Sequence, residues 1–128
     1  MTLSFLKQYY KSIIIGAIIL WLSLSENESI NPGRIFNIPN SDKLGHLLAY
    51  MFFSGVLMLD SAKWRRTGNF RFLLLIIPVL FGALMELLQR LLTQGRQADI
   101  LDMLANLTGI FLGLSAALVF RRLLKSDA

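Results

Sequence analysis

Three short groups of polar residues interrupt an otherwise apolar sequence: Asp42, Lys43 and His46; Glu86, Gln89 and Arg90; and Arg96, Asp99, Asp102 and Asn106. On helices, Asp42, His46 and Tyr50 are spaced by four, Glu86 and Gln89 by three, and Asp99, Asp102 and Asn106 by three then four. Each group then lies on one helical face. One imidazole among several carboxyl groups suits proton transfer, with His46 and Glu86 as an acid–base pair. It also suits a hard divalent ion held with Asp99 and Asp102. The cations bring a different chemistry. Lys43, Arg96 and Arg90 match the charge of a phosphate, and Arg96 adds a planar fork of donors. No serine-nucleophile motif or dense His/Asp spacing accompanies them. Cysteine is absent, which excludes disulfides, thiolate metal sites and a cysteine nucleophile. The sequence assigns no metal and no cofactor, and His46 and Glu86 are the only candidate catalytic residues.

Every one of these residues also has a plainer role. Asp42 and Asp99 suit helix N-caps, where a carboxylate accepts from orphan N–H groups. His46 alone would be a hydrogen-bonded structural histidine. Arg96 with Glu86 or Asp102 could simply hold two helices together. Lys43 and Arg90 can snorkel to lipid head groups, and Gln89 and Asn106 can act as interhelical glue.

The elements that must position these residues follow from composition. The chain has 128 residues, 55% hydrophobic, with a mean hydropathy of +0.57, more apolar than an ordinary soluble domain of this size. Its charge of +5 does not form a basic face or tail, so nucleic acid is not an expected partner. The basic residues instead flank apolar runs. The expected fold is all-α: one transmembrane domain over residues 1–128, with four spans at about 10–25, 43–60, 71–93 and 100–120. Phe72–Met85 carries no polar stripe, which a soluble bundle helix would show. Pro78 inside the third span is tolerated as a kink in a packed membrane helix. The first run resembles a signal peptide, but no small-x-small cleavage site follows it, and it reads as a retained span.

Lys and Arg near the span ends set the expected orientation. Nine lie on the side of both termini, at Lys7, Lys11, Lys63, Arg65, Arg66, Arg71, Arg121, Arg122 and Lys125. Four lie opposite, at Arg34, Lys43, Arg90 and Arg96. This bias puts both ends in the cytoplasm and a loop at about 26–41 outside. Up-down topology then carries all three polar groups toward the outer face. Along the fourth span Ala105, Gly109, Gly113 and Ala117 form a small-residue stripe, with a shorter version at Gly45 and Ala49. It reads as close packing within the bundle, with a homo-oligomer seam as the alternative.

Asp42-Lys43-Leu44-Gly45-His46, Glu86-Leu87-Leu88-Gln89, Gly95-Arg96-Gln97-Ala98-Asp99-Ile100-Leu101-Asp102 and Asn106-Leu107-Thr108-Gly109 together resemble the VanZ-like family of small bacterial membrane proteins. The resemblance covers roughly residues 10 to 122 and implies four helices in the bacterial inner membrane, with these motifs grouped. The family's namesake is associated with low-level teicoplanin resistance. What the resemblance transfers is the set of positions Asp42, Lys43, His46, Glu86, Gln89, Arg96, Asp99, Asp102 and Asn106. The leading functional expectation is an outer-face site that binds or modulates an anionic lipid or a lipid-linked cell-envelope precursor. The alternatives are an intramembrane acid–base or metal-dependent enzyme on a lipid head group, and a small proton-coupled transporter working as a dimer.

Overall fold

The computed structural model describes residues 2–25, 41–61, 68–93 and 99–126. The expected outer loop and Arg96 lie outside the described residues. The described chain is all-helical, in the order α1 (Thr2–Leu24), α2 (Ser41–Asp60), α3 (Gly68–Leu92) and α4 (Ile100–Ser126). The helices overrun the expected spans, because helical hydrogen bonding does not stop where an apolar run meets a lysine. Thus α1 already contains Lys7 and Lys11, and α4 continues past Arg121 and Arg122.

Three helices are long and apolar enough to cross a membrane, at Leu3–Leu24, Phe72–Leu92 and Ile100–Leu124. The fourth, α2, carries Asp42, Lys43, His46 and Asp60 within 20 residues and falls short by that measure. Its position explains why it can. Tyr50, Phe53, Ser54, Leu57 and Met58 on α2 are all buried, so much of this helix meets protein rather than its surroundings. The exterior is the inverse of a soluble protein's. Trp21, Phe72, Leu80, Phe111 and Leu123 are exposed, while Glu86, Gln89, Asp102 and Asn106 are inside.

The closest helix pairing is between α2 and α4, which run parallel. Gly109 of α4 lies against the backbone of Leu47 and Met51, and Gly113 against the Met51 carbonyl and the Ser54 hydroxyl. A Cβ at either glycine would collide with these atoms, so the stripe exists to let two backbones touch. Ser54 crosses the seam, donating its hydroxyl to the carbonyls of Tyr50 (2.8 Å) and Ile110 (3.2 Å). The expected counterpart at Gly45 does not take part, since nothing approaches its Cβ position. Gly45 is two residues from Leu47, about 200° around the helix, and so faces away from the seam.

Helix α1 runs antiparallel to α2 and is tied to its far end. The Asp60 carboxylate accepts from the Ser12 hydroxyl at 2.7 Å and the Ser12 N–H at 3.1 Å, and Gln8 donates to the Asp60 carbonyl at 2.9 Å. On α3, Pro78 is fully buried and Gly82 lies beside the Tyr50 ring and the Asn106 amide. That contact brings α3 against α2 and α4 one turn before Glu86.

Candidate functional site

The parallel pairing of α2 and α4 puts both helix N-termini at one end of the bundle, with their acidic first turns side by side. Asp99 caps α4: its Oδ1 accepts the Leu101 N–H at 2.9 Å, and its carbonyl accepts the N–H of Asp102 and Met103. Its other oxygen, Oδ2, accepts from Lys43 Nζ of α2 at 3.0 Å. The capping and the ion-pairing roles are therefore served by the two oxygens of one residue. The Leu101 N–H first, and the Lys43 ammonium second, hold the Asp99 carboxyl below its ordinary range.

One turn deeper, Asp102 lies between two partners. Its Oδ1 stands 3.5 Å from Lys43 Nζ and its Oδ2 3.9 Å from His46 Nε2. Asp102 is 8% exposed, and Oδ1 accepts no hydrogen bond. The opposite ring nitrogen of His46, Nδ1, is 3.0 Å from the Asn106 side-chain oxygen. An amide oxygen only accepts, so Nδ1 carries a proton and donates it. In the neutral ring, Nε2 then presents a lone pair toward Asp102.

Glu86 completes the site from α3. It is 5% exposed, its Oε1 has no hydrogen-bond partner, and it feels the charges of His46, Asp102, Asp99 and Asp42. The Tyr50 hydroxyl, also in the field of Glu86, is buried without a partner as well. Tyr50 shared the four-residue spacing with Asp42 and His46, and that spacing is the signal that could have added it to the candidates.

The sequence-derived candidates therefore separate. Lys43, His46, Asp99, Asp102 and Asn106 are joined by contacts, Asp42 contributes from the exposed first turn of α2, and Glu86 faces the group. Gln89 turns elsewhere and donates to the Ser23 carbonyl at the end of α1, 3.1 Å away, which is a helix-to-helix tie. Arg90 is exposed on α3. Arg96 lies outside the described residues. Two features at the opposite end escaped the sequence reading: the Asp60–Ser12 tie and a largely apolar groove between α1, α2 and α3. The groove holds about 450 Å³, lined by Phe5, Tyr9, Leu57 and Leu74 and bounded toward mid-bundle by Phe53 and Phe81.

Comparison with models of known protein families, with curated proteins and with solved structures finds no match. The meaning of the site rests on its own chemistry.

Proposed function

We propose that this chain is a VanZ-like integral membrane protein that crosses the bacterial inner membrane four times with both ends in the cytoplasm. At the outer face it holds the head group of a membrane lipid or a lipid-linked envelope precursor. The observation that carries this reading is the set of open valences in a buried site. Among the described residues, Glu86 Oε1 and the Tyr50 hydroxyl are buried and lack a hydrogen-bond partner, and Asp102 Oδ1, also without one, meets only the Lys43 ammonium at 3.5 Å. An unpaired buried polar atom costs about 1–3 kcal/mol, so such atoms beside the Lys43–His46–Asp102 group favour a visiting polar ligand over a purely structural cluster.

The fourth crossing is assigned to α2 because its polar residues face α4, whereas Phe52 and Leu48 face outward. The groove at the other end supports an amphiphile as occupant. Phe81, which lines this groove, has its ring 6.4 Å from that of Tyr50, so the groove reaches the neighbour of one of the unpartnered polar groups. Arg96 is the residue assigned to phosphate, because among the described site residues four carboxyl groups face a single lysine. Glu86, Asp102 and Tyr50 would take head-group hydroxyls.

The test is native mass spectrometry of gently extracted wild type, Arg96→Ala and Glu86→Gln. One phosphate-bearing adduct per chain, lost in the Arg96 variant, is the expected result. A wild type that carries no lipid while all three proteins stay folded refutes the reading. Orientation is tested separately by single cysteines at Asn31 and Gly68 with an impermeant thiol reagent. Asn31→Cys should label in intact cells, and labelling of Gly68→Cys alone would invert the topology.

A further inference from the structure

We propose that Asp42, His46 and Asp102, completed by Glu86, bind a divalent first-row transition-metal ion of the Mn²⁺ or Zn²⁺ type. The cation would be held by part of the polar group read above as a head-group site, but its assignment does not depend on the lipid. Asp42, His46 and Asp102 each offer one ligand atom, and these three atoms lie within 4.8 Å of one another. Two of the residues are one turn apart on α2 and the third comes from α4. The parallel glycine seam fixes the spacing between those two helices.

The imidazole is set up as a ligand rather than as an ordinary buried hydrogen-bonding group. Its Nδ1–H is committed to Asn106 at 3.0 Å, which fixes the tautomer and leaves the Nε2 lone pair toward Asp102 Oδ2. A metal-binding histidine is held in this way, with its second nitrogen donating to a neighbouring acceptor. At 3.9 Å, Nε2 and Oδ2 are too far apart to share a hydrogen bond and, in the neutral ring, are two lone pairs facing each other. Ligand atoms about 2.1 Å from one ion stand roughly 3–3.5 Å apart, so a small side-chain rotation closes this pair around a metal.

Glu86 supplies the independent indication. It comes from a third helix, is 5% exposed, carries a carboxyl oxygen without a hydrogen-bond partner, and interacts electrostatically with His46, Asp102 and Asp42. Lys43 does not occupy the position. Its ammonium is 3.0 Å from Asp99 and 3.5 Å from Asp102 Oδ1, on the side of the Asp102 carboxylate away from His46. One imidazole with carboxylates is a ligand set for Mn²⁺ or Zn²⁺ rather than for Mg²⁺, which prefers oxygen ligands and retains its waters. A cation there would offset the excess of carboxyl groups and offer open coordination positions to an oxygen ligand.

The experiment titrates metal-stripped, lipid-free full-length protein in detergent with Mn²⁺, following the free-ion signal by electron paramagnetic resonance and displacement by Zn²⁺. The proteins compared are wild type, His46→Gln, Asp102→Asn and Asp60→Asn, each checked for helicity by circular dichroism. Wild type should bind one Mn²⁺ per chain, displaced by Zn²⁺. His46→Gln and Asp102→Asn should weaken binding about tenfold or more. Asp60→Asn, at the opposite end of the bundle where Asp60 pairs with Ser12, should bind like wild type. No stoichiometric binding in wild type, or equal binding in His46→Gln, overturns the site. Wild-type stoichiometry decides even if a variant does not fold. Lipid retention is scored on separately extracted protein, so the two readings fail independently.

Discussion

Replacing Gly109 by alanine tests whether the α2–α4 contact holds the site together. The added Cβ would overlap the Leu47 carbonyl oxygen and stand 3.1 Å from both the Leu47 carbonyl carbon and the Met51 nitrogen. All three are backbone atoms and none can rotate aside, so the helices must separate. Overpacking costs about 1–3 kcal/mol, and the rigidity of the obstacle puts this case at the upper end. Alanine returns about 1 kcal/mol of helix propensity over glycine. The net loss is then about 2 kcal/mol, close to a 30-fold shift in the unfolding equilibrium. Gly45→Ala is the matched control, because nothing lies within 4 Å of its Cβ position. It should be neutral, or stabilising by up to about 1 kcal/mol. The assay is reversible unfolding in mixed micelles with increasing dodecyl sulfate, followed by circular dichroism. Equal stability of Gly109→Ala and Gly45→Ala would refute the close approach of the two helices, and with it the juxtaposition of His46 and Asp102.

The acidic cap of α4 predicts a pH dependence. The folded-state pKa of Asp99 is depressed, so its contribution to stability is full above the ordinary aspartate value near 3.8 and is lost as pH falls through the lower folded value. Melting temperatures of wild type and Asp99→Asn in detergent should differ at neutral pH and converge in strong acid; a constant gap would contradict the assignment. At the other end, Asp60→Ala leaves the Ser12 hydroxyl, on a residue only 4% exposed, without its acceptor. It should cost about 3 kcal/mol in the micelle assay, and Asp60→Asn clearly less, because the amide oxygen still accepts. Equal losses in the two variants would show that packing, not hydrogen bonding, is what Asp60 provides.

The helices were legible because apolar runs and their charged borders are local features. The polar faces were legible because 3.6-residue periodicity places Asp42 with His46 and Asp99 with Asp102 without any tertiary information. The stripe at Gly109 and Gly113 announced a close approach, and both glycines are at the α2 backbone. The partner surface was not announced. Gly45 has the right residue type on the wrong face, and the seam uses Leu47, Met51 and Ser54. Gln89 looked like a member of the Glu86 face, yet its partner is the Ser23 carbonyl, a choice set by the relative rotation of α1 and α3 that no single helix encodes. Asp60 read as the end of an apolar run, since its partners Ser12 and Gln8 lie about 50 residues earlier. The apolarity of α2 could not be judged from its own residues, because it depends on what the helix is packed against.

That dependence bears on how the protein is made. Lys43 and His46 on α2 find Asp99 and Asn106 only on the segment that leads into and begins α4, 56 and 60 residues later. Until those residues have been made, Lys43 and His46 lack the partners they meet in the finished bundle. The polar face of α2 is therefore satisfied by a helix that is synthesised two elements later. The two halves of the site come together only when the first and the last of the α2–α4 elements are both present.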